Sequence, residues 1–389
     1  MPPNVFMRTI RRSLKAAHSV DCLWRTPTAA RGYQTAVSLH SHTVHSRESL
    51  DFIPRVLRKV PPIHALIAKV SDRRRAHSGH SVAFDRAFWR PPLNALAAHT
   101  LEAAQIGDSL GLRPLISITD HDDLEACADL RTLGIPAPFS LEWTVPFGAT
   151  IFHLGVHNLP PERARAFQAE MARYTAAPEP DLLTSLLAEL ERIPNVLTVL
   201  NHPFCCEFRI PRAVHVVELR RFLAGHGARI HALELNGLQP ASDNRTTIHL
   251  ATQLSFPVIS GGDRHCLEPN ANLNLTNAAS LDEFIDEIRR DRVSRVLFLP
   301  QYREPLAARY IEFIWHAVKP YPEAPGRERW LDRVFYDHET DGLQPMSVLW
   351  PNGGPRALRQ FIAAVGWLAT PHVRATLRFA LGGQEPTGA

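Results

Sequence analysis

Imidazoles and carboxylates recur in this sequence where short apolar runs end. Val37-Ser38-Leu39-His40-Ser41-His42 closes one such run with two histidines one residue apart. On an extended strand alternate side chains share a face, so His40 and His42 would present two nitrogen donors to one ion. Glu48, His121, Glu142, His153, His202, Asp263 and His265 follow. The set contains nitrogen and oxygen donors and no thiolate, which suits Zn2+, Mn2+ or Fe2+ in a catalytic site with room for water. A structural zinc site would favour cysteine. Nine donors exceed what one ion can use, so two or three divalent ions bridged by carboxylate are the natural reading, and such clusters perform hydrolysis.

Each donor needs an element to hold it. Short apolar runs at 115–119, 139–145, 150–156, 196–200, 230–235 and 256–260 predict strands that carry, or run into, His121, Glu142, His153, His202, Asn236 and the Gly261-Gly262-Asp263-Arg264-His265 stretch. Helical periodicity fills 93–110, 124–133, 161–173, 181–192, 213–225, 243–254 and 281–290. About seven strand–helix units predict an α/β protein whose parallel sheet closes into a barrel, with chemistry at the carboxyl ends of the strands. The span from His42 to His121 is more than twice the ~30 residues that a strand–helix–strand unit needs. Residues 50–92 therefore read as an inserted segment, helical and broken at Pro61-Pro62, and a candidate lid. Arg73, Arg74, Arg75 and Arg90 could attract a phosphate there, with Arg90 as the candidate substrate-binding residue. By this reading residues 1–35 are a basic, poorly ordered leader and 36–300 the barrel domain. Residues 301–389 form a helical extension without a chemical cluster, a packing or oligomer surface.

The 389 residues are 45% hydrophobic, ample for a packed core. Arg8, Arg11, Arg12, Lys15, Arg25 and Arg31 face only Asp21 in the first 35 residues, so the formal charge of +4 resides there and the body is near neutral. That argues against a track for long nucleic acid and leaves small phosphorylated molecules open. Cys22, Cys127, Cys205, Cys206 and Cys266 show no C-x-x-C pair, which suits a reduced cytosol. The sequence holds no run of ~18 or more apolar residues and no secretory signal pattern. A cytoplasmic protein is expected, with organellar import of the basic leader as the alternative.

Taken together, Leu39-His40-Ser41-His42-Thr43, Thr119-Asp120-His121-Asp122, the Glu142 strand, His153-Leu154-Gly155, Asn201-His202-Pro203, Glu234-Leu235-Asn236-Gly237 and Gly261-Gly262-Asp263-Arg264-His265 resemble the successive motifs of the PHP (polymerase and histidinol phosphatase) superfamily. The resemblance spans roughly residues 37–300. It implies a distorted (β/α)7 barrel with a two- or three-ion centre that hydrolyses phosphate esters by attack of a metal-bound hydroxide on phosphorus. By position, His40, His42, Glu142 and Asp263 would hold a first ion, Glu142 bridging to a second held by His153 and His202. His121 and His265 would hold a third, with Glu48 as its further ligand because Arg47, at the other position the family pattern allows, is always a cation. Asp263, His265 and His121 carry the catalytic assignment as well as a ligating one. No organic cofactor is expected.

Around these, His45 and His157 read as neighbours of the site rather than ligands. Arg264 reads as half of a structural ion pair and Asp120 as an orienting partner of an imidazole. Glu234 and Asn236 face the barrel mouth or cap a strand end, and Cys205, Cys206 and Cys266 read as packing residues. The expected substrate is a small phosphomonoester or phosphodiester, nucleotide-derived, with histidinol-phosphatase-like or nuclease activity as alternatives in the same superfamily. Outside it stand an amidohydrolase-type C–N hydrolase, which also begins with His-x-His but typically uses a bridging lysine, and a non-catalytic binding protein.

Overall fold

Apolar runs of four to ten residues form the strands of the two large sheets, and the amphipathic stretches between them form helices that cover the strands. The computed structural model describes residues 17–50, 86–206, 210–338 and 342–387. The Pro61-Pro62 break and the Arg73, Arg74 and Arg75 run lie outside the described residues, as do residues 1–16.

Three sheets result, two large and mixed and one small and antiparallel. The first contains β1 (Ala17–Cys22), β2 (Thr35–Leu39), β5 (Arg113–Ser117), β11 (Asn272–Thr276) and β12 (Val293–Phe298), ordered β1-β12-β11-β2-β5. The second contains β6 (Phe139–Phe147), β7 (Thr150–Leu159), β8 (Leu197–Asn201), β9 (Ala232–Asn236) and β10 (Val258–Gly261), ordered β10-β9-β8-β7-β6. The third is small, β14-β13-β4-β3, built from β3 (Glu48–Ser49), β4 (Ala87–Trp89), β13 (Val334–His338) and β14 (Gly342–Pro345). The helices are α1 (Ala95–Leu110), α2 (Glu125–Thr132), α3 (Ala164–Ala176), α4 (Pro180–Arg192), α5 (Arg212–His226), α6 (Ala241–Leu254), α7 (Leu281–Asp286) and α8 (Leu306–Val318), with further helices at Trp330–Arg333, Met346–Leu349, Arg356–Leu368 and Pro371–Leu381. α1 shows how local chemistry sets the bounds. The Asn94 side chain accepts from the Ala97 amide at its start, and left-handed Gly111 ends it.

The mixed α/β class matches the sequence reading, but no sheet closes into a barrel, and the all-parallel expectation needs correction. A two-residue turn at Gly148-Ala149 joins β6 to β7, which forces an antiparallel hairpin. Two helices, α3 and α4, then return the chain to the end where β7 finished, so β8 is antiparallel to β7 as well. β11 is antiparallel to both its neighbours. The two large sheets meet at one end through isolated bridges, Ser41 with Arg264 and His121 with Glu142. Val37 and Leu39 of the first sheet pack with Leu197, Val199, Ala232 and Ile259 of the second, and α7 adds Phe284 and Ile285. A larger core lies under α3 to α6.

Two domain expectations also shift. Residues 17–22, inside the expected leader, form β1 and pair in parallel with β12. The C-terminal extension contributes β13, which pairs with β4, so it is part of the same small sheet that holds Glu48. Among the described residues no helix is long and apolar enough to cross a membrane.

Candidate metal centre

The nine sequence-selected donors converge where the two large sheets are stitched together. His40 follows β2, His121 follows β5, His202 follows β8 and Asp263 follows β10, while Glu142 lies within β6. His153 is near the start of β7 rather than at a strand's carboxyl end, because β7 runs in the opposite direction. The pleat of a continuous strand does not bring His40 and His42 together: β2 stops at Leu39 and His40 adopts φ 66°. Their rings nonetheless sit 5.0 Å apart. His202 at φ 27° and Asp263 at φ 52° share this left-handed geometry, which non-glycine residues adopt at a cost of roughly 1–3 kcal/mol each. Backbone hydrogen bonds hold it in place, Asp263 N to His40 O at 2.7 Å and His42 N to Arg264 O at 2.8 Å.

Glu142 is the centre of the cluster. Its Oε2 lies 2.9 Å from His40 Nε2 and 3.4 Å from both His42 Nε2 and His121 Nε2. Its Oε1 lies 3.1 Å from His202 Nε2 and 3.5 Å from His153 Nδ1, and accepts from Asn201 Nδ2 at 2.9 Å. Each oxygen thus faces its own set of imidazoles, as a carboxylate bridging two ions would. Asp263 Oδ1 is 3.4 Å from His42 Nε2 and 3.5 Å from His40 Nε2. Farther out, Glu48 Oε2 is 3.2 Å from His265 Nε2 and 3.5 Å from His121 Nε2. Among the described residues five triads of donor atoms come together within 4.8 Å: His40–His42–Glu142, His40–His202–Asp263, His42–Asp263–His265, His42–Glu48–His121 and His121–Glu142–His153.

The electrostatics are those of a cation site filled with protons. Burial alone would raise Glu142, but His40, His121 and His153 hold it well below the usual carboxylate range. Burial would lower His40, and Glu142, Glu234 and Asp263 instead raise it well above its ordinary value. Against the same burial, Glu142 and Glu48 raise His121 to about 10, and Glu48 raises His265 to about 9. Burial, with His265 beside it, lowers His42 to about 4. Its Nε2 is wholly buried and has no hydrogen-bond partner. An uncharged imidazole whose buried Nε2 lies 3.4 Å from two carboxylate oxygens without a hydrogen bond to either fits a metal ion far better than an apo hydrogen-bond network. These buried groups could hold divalent metal.

The neighbours sort differently. Arg264 forms the expected ion pair, Nε to Glu102 Oε1 at 2.7 Å, both buried. Asp120 takes the Thr43 amide and hydroxyl at 2.5 and 2.6 Å rather than an imidazole, so it pins the turn after His42. His45 pairs with surface Asp129 at 3.0 Å, and buried His157 lies 2.8 Å from Ser117 Oγ. Arg90 is not among the donors. On β4, Trp89 shares a face with Glu48, its cross-strand partner, and Phe88 and Arg90 take the other face. The Arg90 guanidinium lies over the Phe335 ring at 5.2 Å, and Arg47 over Phe88 at 5.4 Å.

Sequence reasoning did not find the aromatic wall. Trp89 stacks near His265 with centroids 6.2 Å apart, and Phe313 of α8 meets His265 edge-on at 5.6 Å. No local signal marks Phe313, whose role depends on a long-range return of the chain. Glu234 was noticed but given no contact; it lies 2.6 Å from His40 Nδ1.

No family model and no curated protein matches the sequence. Among solved structures, one similar chain is a protein from Bifidobacterium adolescentis assigned as a metal-dependent phosphoesterase. The match covers 51% of this chain and 91% of that one, at 14% identity and a TM-score of 0.31. Another is an amidohydrolase from Chromobacterium violaceum with bound sulfate and no metal, covering 59% and 87% at 16% identity and a TM-score of 0.33. Similarity this low carries no argument about activity, and the functional reading rests on the side chains.

Proposed function

We propose that this chain is a metal-dependent hydrolase of the PHP kind that cleaves a small phosphate ester, nucleotide-derived. The observation that carries the reading is Glu142, whose two oxygens face separate imidazole sets in a buried cluster. In this account His40, His42, Glu142 and Asp263 would hold one ion, Glu142, His153 and His202 a second, and Glu48, His121 and His265 a third. Divalent metal held there would supply an acidified water, with pKa toward ~7, and neutralisation of the charge spread over phosphoryl oxygens. Glu142 keeps its carboxylate ionised at neutral pH, and burial keeps the His42 imidazole uncharged. Trp89 and Phe313 exclude water on the His265 side.

Phosphate is favoured over a C–N bond because the bridging position is a glutamate. Lys319, the one lysine among the described residues, lies over the Tyr321 ring. A small substrate is favoured by the near-neutral body and by the placement of Arg47 and Arg90 on the far face of the small sheet. The test is a panel of mononucleotides, nucleoside bisphosphates, cyclic phosphates and amides, with protein reconstituted in Mn2+, Zn2+ or Fe2+. Phosphate release supports the reading. Cleavage of an amide, or of long nucleic acid alone, would overturn it.

A further inference from the structure

Glu234 is not in any of the donor triads, yet it connects three ligand-bearing segments. Its Oε1 lies 2.6 Å from His40 Nδ1, and its Oε2 accepts from the His202 backbone amide at 2.8 Å and from Asn236 Nδ2 at 3.0 Å. Asn236 Nδ2 reaches on to Asp263 Oδ2 at 3.1 Å. Glu234 and Asn236 are both buried. A carboxylate at Nδ1 keeps the proton on that nitrogen and leaves Nε2, on the Glu142 and Asp263 side, as the atom that can ligate. The adjacent strand has a matching notch. A Cβ on Gly261 would fall inside the Glu234 carboxylate, although Gly261 has no left-handed φ to require glycine.

We infer that Glu234 is a positioning residue that sets the His40 tautomer and ties His202 and Asp263 to it, and that Gly261 is the notch through which its carboxylate reaches them. The inference rests on the metal-centre reading above. It departs from the two roles weighed from sequence, a barrel-mouth residue and a strand-end cap. Metal addressed through a residue that does not touch it should show in affinity and spectrum before it shows in rate.

The experiment uses the full chain loaded with Co2+. Glu234→Gln, Glu234→Ala, Gly261→Ala and the Glu234→Ala/Gly261→Ala double variant are compared with wild type by chelator competition and by Co2+ visible absorption, with circular dichroism reporting the fold. Glu234→Gln should weaken Co2+ binding by about 10–100-fold and shift the absorption bands while secondary structure is kept. Gly261→Ala should match Glu234→Ala, and should cost nothing further once Glu234 is already Ala. Wild-type affinity and spectrum in Glu234→Gln would overturn the inference. So would a Gly261→Ala cost that is the same in both backgrounds, the arm that decides if Glu234→Gln does not fold. Failure of wild type itself to bind Co2+ would instead overturn the metal-centre reading, and this inference with it.

Discussion

Glu142 and Glu48 are the same side chain among the same kind of partners, held by very different platforms. Glu142 lies on nine-residue β6, hydrogen-bonded on both sides of its backbone to the Asp120 and Asp122 turn. Its side chain is 1% exposed, with Asn201 fixing one oxygen. Glu48 lies on two-residue β3 of the peripheral sheet and is 13% exposed. The Ser46 hydroxyl, 2.5 Å from Glu48 Oε1, is its non-imidazole tether. The contrast teaches that donor type names a metal site but the platform grades it. An ion at Glu142 would meet a ligand fixed by a long strand, whereas an ion at Glu48 would rely on a two-residue strand at the periphery, and any ordering of that strand would be subtracted from affinity.

The largest effect should come from the inner region. Asp263→Asn should abolish turnover while the thermal melt stays near wild type, because an amide is a poor partner for a cation and no core packing changes. Measurable turnover at a tenth of wild type would break the ranking. Glu48→Gln should remove one equivalent of metal and spare two, read by elemental analysis after gel filtration; full three-metal occupancy would strike Glu48 from the ligands. Ser46→Ala should act in the same direction more gently, about tenfold on the outer ion, since Ser46 also receives the His121 amide at 3.1 Å. A smaller effect concerns the rigid platform. Burial lowers His157 to about 3, so below its ordinary value near 6.5 the unfolded chain takes up a proton that the folded chain refuses. Its share of stability is present above pH 6.5 and is lost as pH falls toward 3, with a slope of at most about 1.4 kcal/mol per pH unit. Denaturant melts of His157→Gln across this range should be flatter than wild type. Least of all, Arg90→Ala should change KM by less than about twofold, because its guanidinium lies on the face away from Glu48 and Trp89.

Much of this was legible in the sequence. All nine candidate donors are brought together: most are marked by a polar residue within or just after an apolar run, a signal that survives errors in strand direction, and Glu48 by its position in the family pattern. The geometry was less legible. The His40–His42 pair was found through alternation along a strand, but the chain delivers it through a left-handed residue that no propensity announces. Strand direction failed at Gly148-Ala149, where a two-residue turn makes β6 and β7 an antiparallel hairpin although the strands were all taken as parallel. β11 was missed because Asn272 and Asn274 look like loop residues, whereas both are buried, Asn274 capping Ser260 and Asn272 reaching Leu235 O. The small sheet was invisible because β4 and β13 are short and pair across the whole domain. Asp120 was given the right kind of task and the wrong partner.

The central claim is that Glu142 bridges two ions, and metal stoichiometry tests it most directly. Wild type and Glu142→Gln would be purified without chelator, reconstituted with Mn2+, passed through gel filtration and analysed for metal per chain. The account predicts at least two equivalents in wild type and one or none in Glu142→Gln, with both proteins folded. Wild type without stoichiometric metal, or a variant with undiminished occupancy, would contradict it.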